Sequence, residues 1–248
     1  MTGILCEKRG HVAVVTLDRP ERRNALDATA RQALVEAFVG LEADAGIRCV
    51  VLTGSGTAFC AGTDLTGPPV PPELADRPLV APVADFTRPV VAAVNGAAAG
   101  GGFEFALAAD LRIATPAAKF LLPELRIGSL PGSGGTQRIF SALPSAIAAR
   151  VLYTGEPLTA ADALRYGLVS EIVEPEGLLD RALALADRIA EAAPLSLRAA
   201  KRAARAATEH PEGLALERIL WAELAETQDR AEGRAAFREK RPPRFEGR

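Results

Sequence analysis

Two glutamates stand out because each lies where a carboxylate could move protons. Glu104 begins an almost wholly apolar helix directly after three consecutive glycines, in the stretch NGAAAGGGFEFALAAD (95–110). Its helix neighbours three and four residues away include no cation, so a buried Glu104 could exchange protons near neutral pH. Glu124 follows Pro123 at the end of KFLLPE. Either carboxylate could instead be a first-turn acid that the helix dipole favours, and only the fold could bring the two together.

Three glycine-rich stretches accompany the glutamates: GTAFCAGTDL (56–65), NGAAAGGGFE (95–104) and GSLPGSGGTQR (128–138). None contains G-x-G-x-x-G or G-K-[ST], so neither common phosphate-binding loop is indicated. Glycine lets a ligand approach the backbone, and the first N–H groups of a helix have no partner within it. We therefore expect the helix start and the CAGTD turn to supply two backbone donors that polarise a bound carbonyl. The alternative is that these glycines only permit close packing.

Composition and charge exclude several classes of protein. The chain has 248 residues, of which 48% are hydrophobic and 24% charged, and its formal net charge is −2. These values are ordinary for a globular protein and give no reason to expect nucleic acid or an anionic membrane as partner. No apolar run is long enough for a membrane span and the N-terminus lacks signal-peptide features, so we expect a cytoplasmic protein.

Cysteine and histidine give no indication of a metal centre. Cys6, Cys49 and Cys60 are scattered and without a CxxC pair, which predicts reduced, buried thiols rather than disulfides or a zinc site. His11 and His210 lie near opposite ends of the sequence. That separation argues against a histidine metal cluster and against a Ser-His-Asp triad.

The elements that must position these groups alternate between strand and helix in the first half of the chain. Asp27–Asp44 is predicted to be an amphipathic helix with Asp27 as its N-cap. The proline-rich segment Thr66–Pro82 predicts a mobile loop or a lid over a site, without regular helix or central strand, and a surface linker is the alternative. From Thr159 the pattern is mostly helical, with an amphipathic stretch through Leu216, Ile219, Leu220 and Leu224. Strands are predicted at His11–Leu17, Ile47–Gly54, Arg88–Gly96, Leu111–Thr115 and Lys119–Glu124.

Six stretches, in order and over nearly the whole chain, resemble the crotonase (enoyl-CoA hydratase/isomerase) family. They are LDRPERRNAL, VVLTGSGTAFCAGTDL, RPVVAAVNGAAAGGGFEFALAADLRIA, FLLPELRIGSLPGSGGTQRI, LTAADALRYGLVSEIV and FREKRPPRF. The resemblance implies an α/β fold, a spiral of β-β-α repeats with a C-terminal helical region. It further implies a core at residues 1–190 that carries an acyl-CoA site, and a region at 191–248 for oligomerisation and CoA contact. The assembly would be a homotrimer or a dimer of trimers.

The resemblance also implies roles for individual residues. The backbone N–H groups of Thr63 and Gly101 would form an oxyanion hole for the thioester oxygen. Glu104 would activate water at the β-carbon and Glu124 would deliver the α-proton. Gly132 would help to hold Glu124 or water through its backbone. No metal and no cofactor would be needed, because coenzyme A is part of the substrate. The remaining substrate contacts would be Arg23, Ala25, Ala61, Asp64, Leu65, Phe237 and Lys240, with Phe237 and Lys240 from a neighbouring subunit and Arg22 and Arg241 as further phosphate contacts.

Two departures from the family pattern concern the acyl pocket. Leu121 stands where the family often has glycine, and the proline-rich loop replaces a segment that is often helical. The preferred activity is hydration of a 2-enoyl-CoA. Isomerisation of a 3-enoyl-CoA through Glu124, other thioester chemistry of the family, a non-catalytic acyl-CoA binder and a serine hydrolase stay open as alternatives. The acyl group is not indicated.

Overall fold

The computed structural model describes residues 2–68, 70–208, 218–219, 221–223 and 225–243, and two β-sheets lie at its centre. In the larger sheet β1 and β2 form an antiparallel hairpin, and the other neighbouring strands are parallel. Its strand order is β1 (Ile4–Arg9), β2 (Val12–Leu17), β3 (Cys49–Gly54), β5 (Val90–Val94), β7 (Leu111–Ala114) and β10 (Glu171–Ile172).

The smaller sheet has the order β4 (Ala58–Cys60), β6 (Ala97–Ala99), β8 (Lys119–Leu121) and β9 (Leu158–Thr159). Its first three strands are parallel and β9 is antiparallel. Successive strand pairs place one strand in the large sheet and the next in the small sheet, as β5 and β6 do before the helix at Gly101–Ala108. The predicted succession of β-β-α repeats is therefore confirmed.

The large sheet is covered on both faces, which explains why its central strands read as continuous apolar runs. All five residues of β5, VVAAV, are buried. One face packs against the helix Leu178–Ala190, and the other faces the main core. The described helices are α1 (Ala28–Ala43), α2 (Pro72–Ala75), α3 (Ala81–Ala84), α4 (Gly101–Ala108), α5 (Gly135–Ala142), α6 (Ser145–Thr154), α7 (Ala160–Arg165), α8 (Leu178–Ala190), α9 (Pro194–Thr208) and α10 (Gln228–Glu239), with 3-10 helices at Pro20–Arg22, Glu124–Ile127 and Pro175–Gly177.

The cap predicted for α1 is present, and a second cap that was not predicted begins α7. Asp27 caps α1, since its Oδ1 accepts the Ala30 N–H at 2.9 Å. Thr159 caps α7 through the Asp162 N–H. These caps satisfy N–H groups that a helix start leaves without partners.

Three expectations need correction. The segment Thr66–Pro82 is not wholly irregular, because α2 begins with Pro72 and α3 has proline in its first turn, where the missing N–H costs no hydrogen bond. The strand predicted to reach Glu124 ends at Leu121, and Glu124 begins a 3-10 helix. Cys6 is exposed, on an edge strand, whereas Cys49 and Cys60 are buried as expected. Leu216, Leu220 and Leu224 lie outside the described residues.

The C-terminal helices are attached to the core at two places. On α9, Lys201 is buried and donates hydrogen bonds to the carbonyl of Arg88 and to Asp110, at 2.6 and 2.7 Å. α10 packs on Glu124–Ile127, where Gly233 leaves no room for a side chain. Within the described part of the chain, no helix has the length and apolar character required to cross a membrane.

Candidate active site

The start of α4 carries a backbone donor that points away from the helix. Gly100 precedes α4 with φ +55°, and its N–H donates to the carbonyl of Leu121 at 2.9 Å. Gly101 is the first residue of α4, and no hydrogen bond from its N–H is made to any described residue. The helix N-terminus is the positive end of the helix dipole, so this N–H suits an oxygen that gains negative charge.

A second backbone donor comes from the turn after β4. Thr63 forms a parallel bridge with Leu26, whose N–H and carbonyl bond to Gly62 and Asp64 at 2.8 and 3.0 Å. This pairing leaves the Thr63 N–H without an acceptor among the described residues. Gly62 has φ +84°, and a β-carbon there would lie 2.8 Å from the nitrogen of Gly101. Thr63 and Gly101 therefore belong to two segments in direct backbone contact.

The turn that carries Thr63 is fixed by two buried side chains. Asn24 adopts φ +57°, and its Nδ2 donates to the carbonyls of Ser55 and Ala58 at 2.9 and 2.8 Å. The Cys60 thiol donates to the Asn24 carbonyl at 3.1 Å and accepts the Gly62 N–H at 3.3 Å. Burial raises the pKa of Cys60 to about 12, so it remains a thiol. We call Asn24, Cys60, Gly62 and Gly101, which hold this backbone arrangement, the glycine junction.

Glu104 is buried, at 3% exposure, and a distant loop holds its carboxylate. Its Oε1 accepts the N–H of Ser133 at 2.7 Å and the N–H of Gly135 at 2.9 Å. Gly135 is the first residue of α5, so the carboxylate lies in the first turn of α4 and also at the N-terminus of α5. The positive ends of both helices favour negative charge there.

Glu124 reaches the same place from another segment. It is half-buried at the start of its 3-10 helix. A β-carbon at Gly100 would lie 2.8 Å from its Oε1, so the carboxylate lies against bare backbone. The Gly100 carbonyl in turn accepts the N–H of Glu104 at 3.0 Å. The Glu124 carboxylate thus lies against the residue that precedes α4, and Glu104 lies in the first turn of that helix, whose first N–H, that of Gly101, has no described acceptor.

The predicted CoA contacts at the N-terminal side also lie together. The Ala61 N–H donates to the carbonyl of Arg23 at 3.0 Å, and Arg19 donates to the carbonyl of Ala25 and pairs with Asp64. Burial acts to raise the pKa of Asp64, but hydrogen bonds from Thr66 and the charges of Arg19 and Arg22 outweigh it, so this pKa is lower than usual. Arg23 is exposed and Leu65 is half-buried beside Asp64.

Phe237 and Lys240 lie elsewhere on the described chain, at the exposed end of α10. No hydrogen bond or ion pair between described residues links them to the group around Thr63. Arg241 pairs with Glu232 and Glu239 on α10. A role for these residues in CoA binding stays a prediction that needs a second subunit.

The loop around Gly132 reaches the site through the neighbours of Gly132, while the predicted role of Gly132 itself toward Glu124 or water stays a prediction. Its residues Ser133 and Gly135 hold Glu104, whereas Gly132 itself accepts a hydrogen bond from Arg218 at 3.1 Å and lies against the indole of Trp221. We call Arg218, Trp221 and Arg230, which stack next to this loop, the arginine wall. Among the described residues, no cluster of histidine, cysteine, aspartate and glutamate is arranged to hold a metal ion.

Residues 75–79 of the proline-rich segment, which we call the lid, contact both the glycine junction and the loop around Gly132. The N–H of Leu79 donates to Ser133 Oγ at 2.8 Å, and the Leu79 side chain lies over Gly101. Arg31 of α1 donates to the carbonyl of Arg77, and Arg218 donates to the carbonyls of Ala75 and Asp76. Residues 75–79 are therefore held over the start of α4 by contacts from three separate segments.

Sequence reasoning missed Asn24, Ser133, Leu79 and Trp221. Asn24 carried a usable signal, because asparagine tolerates positive φ and precedes an apolar pair in RRNAL. Ser133 stood inside a glycine-rich stretch that was recognised. Leu79 and Trp221 carried no local signal, since only long-range packing brings them to the site.

Comparison with known proteins decides the family. The profile described as enoyl-CoA hydratase/isomerase matches residues 7–248. The chain belongs to the enoyl-CoA hydratase/isomerase family. Membership explains why a fold of β-β-α repeats carries two backbone donors beside two glutamates, and it makes the chain a crotonase-family enzyme.

Individual relatives span the whole chain. It is 46% identical to the (E)-benzylidenesuccinyl-CoA hydratase of Thauera aromatica over 253 residues, covering 98% of this chain and 99% of that one. It is 39% identical to the 2,3-dehydroadipyl-CoA hydratase of Escherichia coli, covering 100% of both chains. The crystal structure of carnitinyl-CoA hydratase from Mycobacterium avium matches with a TM-score of 0.92 at 39% identity, again over 100% of both chains. The structural match shows that this chain has the crotonase fold.

Proposed function

We propose that this chain is an enoyl-CoA hydratase, which adds water across a 2-enoyl-CoA thioester to give a 3-hydroxyacyl-CoA. The observation that carries the proposal is that Glu104 lies in the first turn of α4 while the Glu124 carboxylate lies against Gly100, directly before the N–H of Gly101. Hydration needs a base for water, a proton source for the α-carbon and donors for the enolate oxygen. All three kinds of group are available around this residue.

The reaction then divides among named groups. The N–H groups of Thr63 and Gly101 hold the thioester oxygen and stabilise the negative charge that it gains. Glu104 accepts a proton from water as the water oxygen bonds to the β-carbon. The π electrons move into the enolate, which takes a proton from Glu124 at the α-carbon. The two carboxylates exchange roles in the reverse direction, and the step requires no metal or separate cofactor.

The binding of coenzyme A is part of the same proposal. Its phosphates would meet exposed Arg23, and its chain would pass Ala25, Ala61 and Leu65 to reach Thr63. Phe237 and Lys240 would approach from a neighbouring subunit of a homotrimer or a dimer of trimers, with residues 191–248 as the assembling region. Light scattering of the purified protein measures that assembly directly.

The experiment follows the absorbance of the conjugated enoyl thioester. We expect the parent protein to lower the absorbance of crotonyl-CoA or of a longer 2-enoyl-CoA. Glu104→Gln and Glu124→Gln should each lose about 10²–10⁴-fold in kcat, as expected for loss of a general acid or base. Glu174→Gln, an exposed glutamate in a turn, is the matched control and should keep full activity.

Two other results would replace the proposal. An increase in enoyl-thioester absorbance with a 3-enoyl-CoA, still seen in Glu104→Gln, would assign an isomerase that works through Glu124. Tight binding of acyl-CoA with no turnover of any enoyl thioester would assign a non-catalytic binder. The panel should include (E)-benzylidenesuccinyl-CoA and 2,3-dehydroadipyl-CoA, which the names of two relatives specify.

A further inference from the structure

Two guanidinium groups stack on the indole of Trp221, next to the loop that holds Glu104. The carbon centres of the Arg218 and Arg230 guanidiniums lie 4.7 and 4.5 Å from the centroid of the indole ring. The indole packs on Gly132, where a β-carbon would be only 2.6 Å from its Nε1. The next residue, Ser133, donates its N–H to Glu104. The arginine wall is therefore the layer of side chains directly behind that loop.

The two arginines differ in their partners. Arg218 donates to three backbone carbonyls, those of Gly132, Ala75 and Asp76, at 3.0 to 3.2 Å. Arg230 is only 6% exposed, yet its Nη1 has no hydrogen-bond partner in the described part of the chain. No described carboxylate forms an ion pair with it either. Arg218 is explained by its structural contacts, and Arg230 is not.

A buried guanidinium nitrogen without a hydrogen-bond partner is costly, and stacking on an indole offsets only part of that cost. Burial, together with the charge of Arg234, lowers the pKa of Arg230 to about 10, and burial with the charge of Arg218 does the same for Arg31. Arg234 thus repels Arg230 and Arg218 repels Arg31, while Glu226 offsets only part of the repulsion at Arg230. A bound anion would relieve both the missing hydrogen bond and the repulsion.

The position of Arg230 indicates which part of the substrate supplies the anion. The Arg230 guanidinium lies on the indole of Trp221, which packs on Gly132, one residue before Ser133 and its hydrogen bond to Glu104. Glu104 is proposed to act at the β-carbon of the acyl group. We therefore take the anion to belong to the acyl part of the substrate rather than to coenzyme A.

We infer that Arg230 binds a carboxylate carried by the acyl group, so that the preferred substrates are enoyl thioesters with a second negative charge. The inference rests on the proposed acyl-CoA function of the site. It adds that the planar guanidinium, with Trp221 behind it, selects a carboxylate over a methyl group at the distal end of the acyl chain.

The test compares two thioesters of equal length: hex-2-enoyl-CoA, and the same chain with its terminal methyl replaced by carboxylate. We expect the parent to prefer the carboxylate form in kcat/KM. Arg230→Gln should reduce that preference about tenfold or more, as expected for loss of a charge-assisted hydrogen bond, while hydration of hex-2-enoyl-CoA changes little. Arg230→Lys should keep part of the preference, and Arg238→Gln, an exposed arginine of the same helix, should keep all of it.

Binding separates this inference from the proposed function. The dissociation constants of hexanoyl-CoA and its terminal carboxylate analogue, measured by calorimetry, report the same preference without turnover. If neither enoyl thioester is hydrated but the binding preference depends on Arg230, the hydratase proposal fails and this inference stands. Three results would overturn the inference. They are equal kcat/KM of the parent for both compounds, a preference that survives in Arg230→Gln, and equal losses of kcat/KM on both compounds in that variant.

Discussion

The glycine junction and the arginine wall flank the same two glutamates, but they are built from different contacts. The junction is backbone against backbone, since Gly62 faces the nitrogen of Gly101 and the Cys60 thiol bridges the Asn24 carbonyl to the Gly62 N–H. The wall is made of long side chains that reach carbonyls or stack on an indole. The junction can fix the positions of backbone donors that the chemistry requires for every substrate. The side chains of the wall can instead be suited to one kind of acyl group.

This difference predicts that the junction tolerates substitution least. In Gly62→Ala the new methyl would meet the Gly101 nitrogen, and φ +84° would strain the residue. We expect a loss of about 100-fold or more in kcat, because both backbone donors would move. The unfolding free energy should fall by about 1–3 kcal/mol.

A matched control separates strain from contact. Gly167 has a similar φ of +78°, but a β-carbon there would meet nothing within 4 Å. Gly167→Ala should therefore lose stability and keep kcat. Full kcat in Gly62→Ala, with turnover measured on any accepted enoyl thioester, would contradict the role given to the junction.

The same contrast explains what could be predicted from the sequence. Glycine at 62 and 100–102 marks places where backbone must approach backbone, so local sequence pointed to the junction and to Glu104. The short apolar strands and the Asp27 cap were equally local signals. The contact of Trp221 with Gly132 joins residues far apart in the sequence, and no local pattern encodes it. For the same reason no local pattern indicated that Ser133 and Gly135 of the loop around Gly132 bond to Glu104, which lies 29 and 31 residues earlier in the sequence.

A smaller effect is expected where the lid meets the loop. Ser133 contributes its backbone N–H to Glu104 and its hydroxyl to the N–H of Leu79. Ser133→Ala removes only the hydroxyl, which leaves the buried Leu79 N–H without its acceptor and should cost about 1–3 kcal/mol of unfolding free energy. Because the backbone donor to Glu104 remains, kcat should change less than about tenfold.

Chemical denaturation and steady-state kinetics on Ser133→Ala measure the two effects separately. Ser141→Ala, an exposed serine in α5, is the control for helix substitutions and should change neither quantity. A fall in kcat as large as that of Glu104→Gln would mean that the hydroxyl itself is needed for the chemistry.

The smallest effect is expected from thiol modification, which reports whether the junction opens. Burial raises the pKa of both Cys49 and Cys60 to about 12, so neither supplies thiolate near neutral pH. Cys6 is exposed on β1 and should react alone with a disulfide reagent, without loss of activity. In Cys6→Ser the native protein should show no fast phase, and the two remaining thiols should appear only on unfolding. Fast labelling of Cys60 with loss of turnover would show that the junction opens readily, and its backbone donors would then not be held in place between turnovers.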